Sequence, residues 1–222
     1  MLLVQKQHLV PAVWPVDLNT GANSGDYVSM KNYNHLTIVI MCTTATGTAV
    51  VTLKQASAVA GTGEKALAFT KQWQTGAKWK FTAPTGRFTV GETVTGAAGA
   101  SGVVAESGAD YILVYTVNGT AVVDGETLTG GTSGYTATAN GAGTEEDILL
   151  EVAVTSDTFT IPAVANRMYV IEVDANTLDM DNEFDCVRLH IAQANAAKIG
   201  SALYILSEAR YTGEPMPTAI YD

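Results

Sequence analysis

The hexapeptide Gly91-Glu92-Thr93-Val94-Thr95-Gly96 returns as Gly125-Glu126-Thr127-Leu128-Thr129-Gly130, a spacing of 34 residues. Repetition at this period marks duplicated supersecondary units, and two copies are too few for a long solenoid. Each copy is followed by a Ser-Gly pair, Ser101-Gly102 and Ser133-Gly134, with the second copy two residues shorter in between. Tyr111, Leu113, Tyr115 and Val117 alternate with Ile112, Val114 and Thr116, while Asn118-Gly119 and Asp124-Gly125 are strong turn dipeptides. Residues 82–143 therefore read as a small β-subdomain inserted in a loop. It holds Arg87 against Glu92, Glu106, Asp110, Asp124 and Glu126, so its exterior is acidic.

The flanks follow a period of two. Leu36, Ile38, Ile40 and Cys42 alternate with Thr37, Val39 and Met41, which predicts a strand buried largely on both faces. Ala49, Val51 and Leu53 follow across a short turn with Gly47, which predicts a hairpin. Lys65–Thr70 and Lys71–Lys80 predict further strands, with Trp73 and Trp79 on one face. After the insertion, Ile148, Leu150, Val152 and Val154 resume the alternation, and Thr158–Ile161, Met168–Val173, Val187–Ile191 and Leu203–Leu206 continue it. Asp174–Leu178 suits one capped helical turn, and the Ala-rich Gln193–Gly200 suits a short helix. With 222 residues, 47% of them hydrophobic and 21 glycines, the chain is expected to form one domain plus an insertion. The expected fold is all-β, an antiparallel β-sandwich of jelly-roll-like kind, from residues 26–81 and 144–211.

Both ends read as extended arms, residues 1–25 and 212–222. The first carries Leu9, Val10, Val13, Trp14, Val16 and Leu18 with neither period, interrupted by Pro11 and Pro15. At about 3.3 Å per residue, 18 such residues reach on the order of 60 Å, enough to cross onto a neighbouring subunit. An edge strand folded back on its own domain is the alternative. Gly213, Pro215 and Pro217 keep the second arm from regular structure.

Twelve basic against 22 acidic side chains argue against nucleic acid, whose affinity rests largely on cations. The imbalance is polarised: residues 1–81 hold seven Lys against three acidic groups, and residues 82–222 hold five basic against nineteen acidic. Interleaving of strands from both halves would mix these charges, whereas spatial segregation would create complementary patches. No apolar run approaches the roughly 18–20 residues that cross a bilayer, so no membrane partner is expected. The start Met1–Lys6 lacks the basic region of an export signal. Cys42 and Cys186 sit in apolar strand patterns, which suits buried thiols in a reducing cytoplasm, a single bridge being the alternative.

The residues offer no catalytic chemistry. Cys186 and His190 lie four residues, about 13 Å, apart along a strand, too far for one zinc, and His8 and His35 lie elsewhere. Asp179–Asp185 alternates carboxylates as calcium loops do, but Phe184 replaces the turn Gly and His190 the final Glu. Gly61-Thr62-Gly63 lacks the third Gly of a dinucleotide fingerprint, and no nucleophile elbow or phosphate loop occurs. The expectation is a protein that is not an enzyme, with no metal, no cofactor and no catalytic residue.

Asp26–Tyr33, Gly47–Ala56, Lys65–Phe69, Tyr169–Asp174 and Phe184–His190 resemble stretches of virion structural proteins of tailed bacteriophages. The Gly-Glu-Thr…Thr-Gly…Ser-Gly repeat resembles β-modules inserted in phage particle proteins. Within that group the chain is most similar to head decoration, or cement, proteins. The resemblance implies a homotrimer on the capsid exterior, assembled in the host cytoplasm, that binds the major capsid protein and clamps neighbouring capsomers. The arm residues Val10, Trp14, Met216 and Ile220 are then the candidate inter-subunit contacts. A tail or fibre component is one alternative. The other is a carbohydrate-binding module, with Trp73, Trp79, Tyr111, Tyr115 and Tyr135 as candidate sugar platforms.

Overall fold

A computed structural model describes residues 6–44, 46–116, 118–155, 157–210 and 219–220. Its strands are β1 (His8–Asp17), β2 (Asn23–Ser24), β3 (Val28–Ser29), β4 (Tyr33–Cys42), β5 (Ala49–Ala56), β6 (Lys65–Leu67) and β7 (Lys71–Thr82). In the insertion lie β8 (Thr93–Gly96), β9 (Ser101–Ser107), β10 (Tyr111–Thr116), β11 (Thr127–Gly130) and β12 (Thr136–Ala139). The chain then forms β13 (Thr144–Ala153), β14 (Thr158–Ile161), β15 (Arg167–Asp174), β16 (Cys186–Ile191) and β17 (Ile199–Ala209). All pairings among them are antiparallel, and the fold is the all-β sandwich expected.

Two sheets enclose the main core. One runs β1-β17-β4-β15-β7, with β13 on the far edge of β7; the other is centred on β5 and β16, edged by β14 and β6 on one side and by β2 and β3 on the other. Alternation places Leu36, Ile38 and Ile40 of β4, Tyr169 and Ile171 of β15 and Tyr204 and Leu206 of β17 against Val51, Leu53, Leu189 and Ile191 of the opposite sheet, all of them buried. Each such fully buried aliphatic side chain contributes about 1.5–3 kcal/mol. The Tyr204 hydroxyl spans the two layers and accepts the Leu189 N–H at 2.7 Å, at the interruption between β2 and β3. That bond satisfies a backbone donor which no strand reaches.

Several local expectations change. β4 and β5 lie in different sheets, so the expected hairpin does not form. Gly47 has φ +74°, and a Cβ there would stand 2.3 Å from the Ala196 carbonyl oxygen, which explains its glycine. The Ala-rich 193–198 stretch is not helical, because its backbone is used elsewhere: Ala194 N–H donates to Leu18 O and Asn195 N–H to Thr48 O. Ala175–Thr177 does form one 3₁₀ turn, without a side-chain cap from Asp174. His8–Asp17 is the edge strand of the first sheet, paired with β17 through Leu9↔Ile205 and Pro11↔Leu203. Of the C-terminal arm, Ala219 is buried and its carbonyl accepts the Ser29 N–H at 2.6 Å.

β7 belongs to two bodies. Its buried positions change parity at Gly76–Ala77, from Gln72, Gln74 and Gly76 to Ala77, Trp79 and Phe81. The second half pairs β10 on one edge and β12 on the other, and with β9, β8 and β11 this closes a six-stranded barrel. Side chains such as Trp79, Phe88, Val94, Ile112, Val114, Val122 and Leu128 fill it, as the interior of a small barrel requires. The unit therefore begins at Ala77, ahead of the boundary expected at 82.

A pseudo-twofold axis relates the repeats. Thr95 pairs Thr129, its own equivalent, flanked by Val94↔Gly130 and Gly96↔Leu128, and β7–β10 pairing obeys the same exchange through Ala77↔Val114 and Lys80↔Tyr111. The hexapeptide is explained by this symmetry. Glu92 accepts the Thr89 N–H at 2.6 Å and, from the other copy, the N–H groups of Thr132 and Ser133 at 3.0 and 2.8 Å. Glu126 likewise accepts from Val123 at 2.6 Å and, across the axis, from Ala98 at 2.7 Å. The final glycine of each copy makes room for the other's carboxylate: a Cβ at Gly96 would lie 2.5 Å from Glu126 Oε2, and one at Gly130 2.7 Å from Glu92 Oε2. The expected Ser-Gly correspondence is displaced, since Ser101 faces Thr95 whereas Thr136 faces Thr129, so the second hairpin loop is longer.

Candidate functional site

The outward residues of the first sheet are apolar across most of its width. Register aligns Pro11, Leu203, Val39, Val170 and Trp73 in one row over five strands. A second row holds Ser201, Met41 and Met168, with Trp14 beside it where β1 departs from regular register between Val13 and Val16. Leu9 and Ile205 begin a third row, which turns polar at Thr37 and Glu172. None of the first two rows belongs to the main core; Trp14 is 74% and Met41 49% exposed. At about 4.8 Å between strands and 3.3 Å per residue these rows span on the order of 400 Å² of sheet, in which Pro11, Trp14 and Met41 are exposed, Leu203, Val39, Met168 and Trp73 half-buried and Val170 buried.

One end of this face is charged. His35 Nδ1 meets Asp174 Oδ1 at 2.8 Å and its Nε2 meets Glu172, so both ring nitrogens face carboxylates. Burial works against protonation here, but the two carboxylates outweigh it and the pKa is raised.

The three candidate arm contacts among the described residues, Val10, Trp14 and Ile220, are not one patch. Val10 is 7% exposed and packs in the chain's own core, so in this fold it is unavailable to a neighbour. Its strand places Trp14 on the outer face. Ile220 is exposed but follows Ala219, which is tied to Ser29 at the edge of the second sheet. Met216 lies outside the described residues. The strand over 36–42, expected to be buried largely on both faces, buries only Leu36, Ile38, Ile40 and Cys42, so Val39 and Met41, with Met168, Leu203 and Ile205, are site residues the sequence reading missed.

The aromatic residues proposed as sugar platforms are scattered. Trp79 is buried in the barrel and Trp73 is half-buried on the outer face. Tyr111 lies under Lys78 and donates its hydroxyl to Glu106 at 2.5 Å. Tyr135 is exposed, and Tyr115 borders a cleft between barrel and sandwich. Among the remaining candidates, His8 stacks on Tyr33 and His190 Nδ1 contacts Ser24 Oγ at 2.8 Å. The Asp179 carboxylate takes hydrogen bonds from Lys65 and Asn182, and no cluster of three metal-ligating side chains exists among the described residues. Both cysteines are buried thiols outside any disulfide, and burial raises the Cys42 thiol to about 11. No helix among the described residues is long and apolar enough to cross a membrane.

No protein-family model and no curated protein matches the chain. A solved structure described as that of infectious bursal disease virus, Gx strain, aligns at 10% identity with a TM-score of 0.10. The alignment covers 91% of this chain and spans 40% of that one. Likeness at this level carries no weight for fold or function.

Proposed function

We propose that the chain is a non-enzymatic virion structural protein of the decoration kind, which binds the outer capsid surface and stabilises neighbouring capsomers. The observation that supports this reading is the uncovered apolar face of the first sheet. A standard interface buries roughly 800 Å² per partner with an apolar centre and a polar rim. The rows through Leu203 and Met41 supply such a centre, and His35, Glu172 and Asp174 lie at its rim. The partners proposed are the major capsid protein and further copies of this chain in a homotrimer. Repetition over a shell turns a modest contact into firm attachment.

Light scattering of the purified protein, followed by co-sedimentation with undecorated heads of its phage, tests the reading. The expected result is a mass three times the 23.2 kDa of one chain and sedimentation with heads, with Leu203→Lys folded but left in the supernatant. A monomer that stays in the supernatant, or undiminished binding by Leu203→Lys, would overturn it.

A further inference from the structure

β13 is an edge strand that the chain leaves open. Natural sheets protect their edges with very short strands, prolines or bulges, because unpaired N–H and C=O groups recruit further strands. The other edges here follow that rule: β1 carries Pro11, Pro15 and two register shifts, β14 is four residues long, β6 three, and β2 and β3 two each. β13 pairs β7 alone among the described residues, and its regular part, residues 149–153, has neither proline nor bulge. The Val154 N–H donates to the Thr70 carbonyl at 2.7 Å, in continuation of that register. Antiparallel pairing turns the N–H and C=O groups of every second residue to the partner strand, here those of Leu150, Val152 and Val154. Leu149, Glu151 and Ala153 turn theirs outward, and all three are exposed.

On the inner side of this edge, β13 and β14 line an open cleft of about 450 Å³ whose exposed walls are largely apolar, with Val152, Phe159, Pro162, Ala163 and Tyr115 among them. A strand laid beside β13 points every second side chain toward that cleft and the others to solvent. Charge then selects the strand. The edge carries Glu145, Glu146, Asp147 and Glu151. Glu145 is paired with Arg167, and Glu151 with Lys71 at 2.9 Å, whereas Glu146 and Asp147 have no ion pair among the described residues. A second copy of β13 would bring the same four carboxylates, in a chain whose net charge is already −10. Like charges across a strand pair are destabilising and opposite ones stabilising, so the edge disfavours its own copy and suits a cationic strand.

We propose that β13 accepts, by strand addition, an extended segment of a partner protein in which aliphatic side chains alternate with Lys or Arg. The aliphatic side chains enter the cleft and the cations lie over Asp147 and Glu151. Main-chain bonds to Leu149, Glu151 and Ala153 supply the affinity, and the cleft and the carboxylates supply the selectivity. The edge shares no residue with the apolar sheet face, so it stands or falls apart from the decoration reading.

Amide hydrogen exchange of the full chain, read residue by residue by NMR, tests this with the capped peptide Lys-Val-Lys-Val-Lys as probe and Glu-Val-Glu-Val-Glu as control. In the free protein the amides of Leu149, Glu151 and Ala153 should exchange about tenfold or more faster than those of Leu150 and Val152, at every protein concentration. The basic peptide should slow the three outward amides about tenfold, and the acidic one should leave them unchanged. Ala153→Pro removes one outward donor and no bond to β7, as proline on a strand edge allows, so it should melt near the parent yet weaken the basic peptide about tenfold. Asp147→Lys, a change on the exposed surface, should weaken it as well, and Leu203→Lys should not. Slow outward amides in the free chain, protection that grows with protein concentration alone because a second copy takes the edge, equal protection by the two peptides or by neither, or affinity indifferent to both edge substitutions would overturn the proposal.

Discussion

Replacing Glu92 by alanine should be among the most costly single changes in the barrel. The carboxylate is 4% exposed and takes four hydrogen bonds, from the N–H groups of Thr89, Thr132 and Ser133 and from the Ser133 hydroxyl at 2.9 Å. Bonds to a charged acceptor contribute about 1.5–3 kcal/mol each, but donors near solvent recover part of this from water. Thr132 is exposed and the Ser133 hydroxyl can rotate, so a net loss of about 3–4 kcal/mol is expected. Glu126→Ala removes only two such bonds, from a half-buried carboxylate, and should cost about 1–2 kcal/mol. Urea unfolding followed by tryptophan fluorescence would measure both, since Trp79 is enclosed in the barrel core. Equal losses for the two variants would refute the account of the repeat given above. Burial pushes the Glu92 carboxyl up, yet the Ser133, Thr89 and Thr132 N–H groups and the Ser133 hydroxyl together hold it below the ordinary value. The sign follows: its contribution is complete above the unfolded glutamate pKa, about 4.3, and is lost as pH falls through the lower folded value. Acid titration of the parent and Glu92→Gln should therefore diverge in slope only below about pH 4.3.

The His35 site has the opposite sign: with its pKa raised, its contribution is complete below the unfolded value of about 6.5 and fades as pH rises through the folded one. His35→Gln should flatten that alkaline slope in thermal melts, and an unchanged slope would refute the assignment. Lys198 is fully buried and its Nζ donates to the carbonyls of Thr44 and Pro162 at 3.1 and 3.0 Å. Lys198→Met should lower stability by about 2 kcal/mol through two abandoned carbonyls, and a loss under about 0.5 kcal/mol would show that water replaces the ammonium. Ellman's reagent should label neither Cys42 nor Cys186 in the native protein and both in urea; native labelling would contradict their burial.

Much of the sandwich was legible because period-two alternation reports a strand with one buried face. The same signal is silent about which sheet a strand joins, and so β4 and β5 read as a hairpin although they lie in different sheets. The Ala-rich 193–198 stretch shows the converse failure: local helix propensity is overridden when tertiary partners take the backbone groups. The repeat was visible as sequence, but closure of the barrel rests on β7–β12 pairing of Phe81 with Ala139, contacts too distant along the chain for periodicity to register. Of the site, Trp14 could be named from sequence, whereas the outward row of Leu203, Val39 and Val170 exists only once the register of three strands is known.

The exchange of Glu92 and Glu126 between the two halves means that each half was shaped to fit a copy of itself. The barrel is in this sense a dimer whose subunits have been fused, with the strands on either side of the axis still pairing isologously. A single 34-residue unit carries both the acceptor and the turn it satisfies, so two separate units could close the same ring. Fusion frees the copies to differ wherever the ring is not held shut, and they do: the 130–135 loop is longer than 96–100 while the pairs around Thr95 and Thr129 keep their register. Further variation should accumulate in those two loops, at the ends of the barrel, before it reaches the strands.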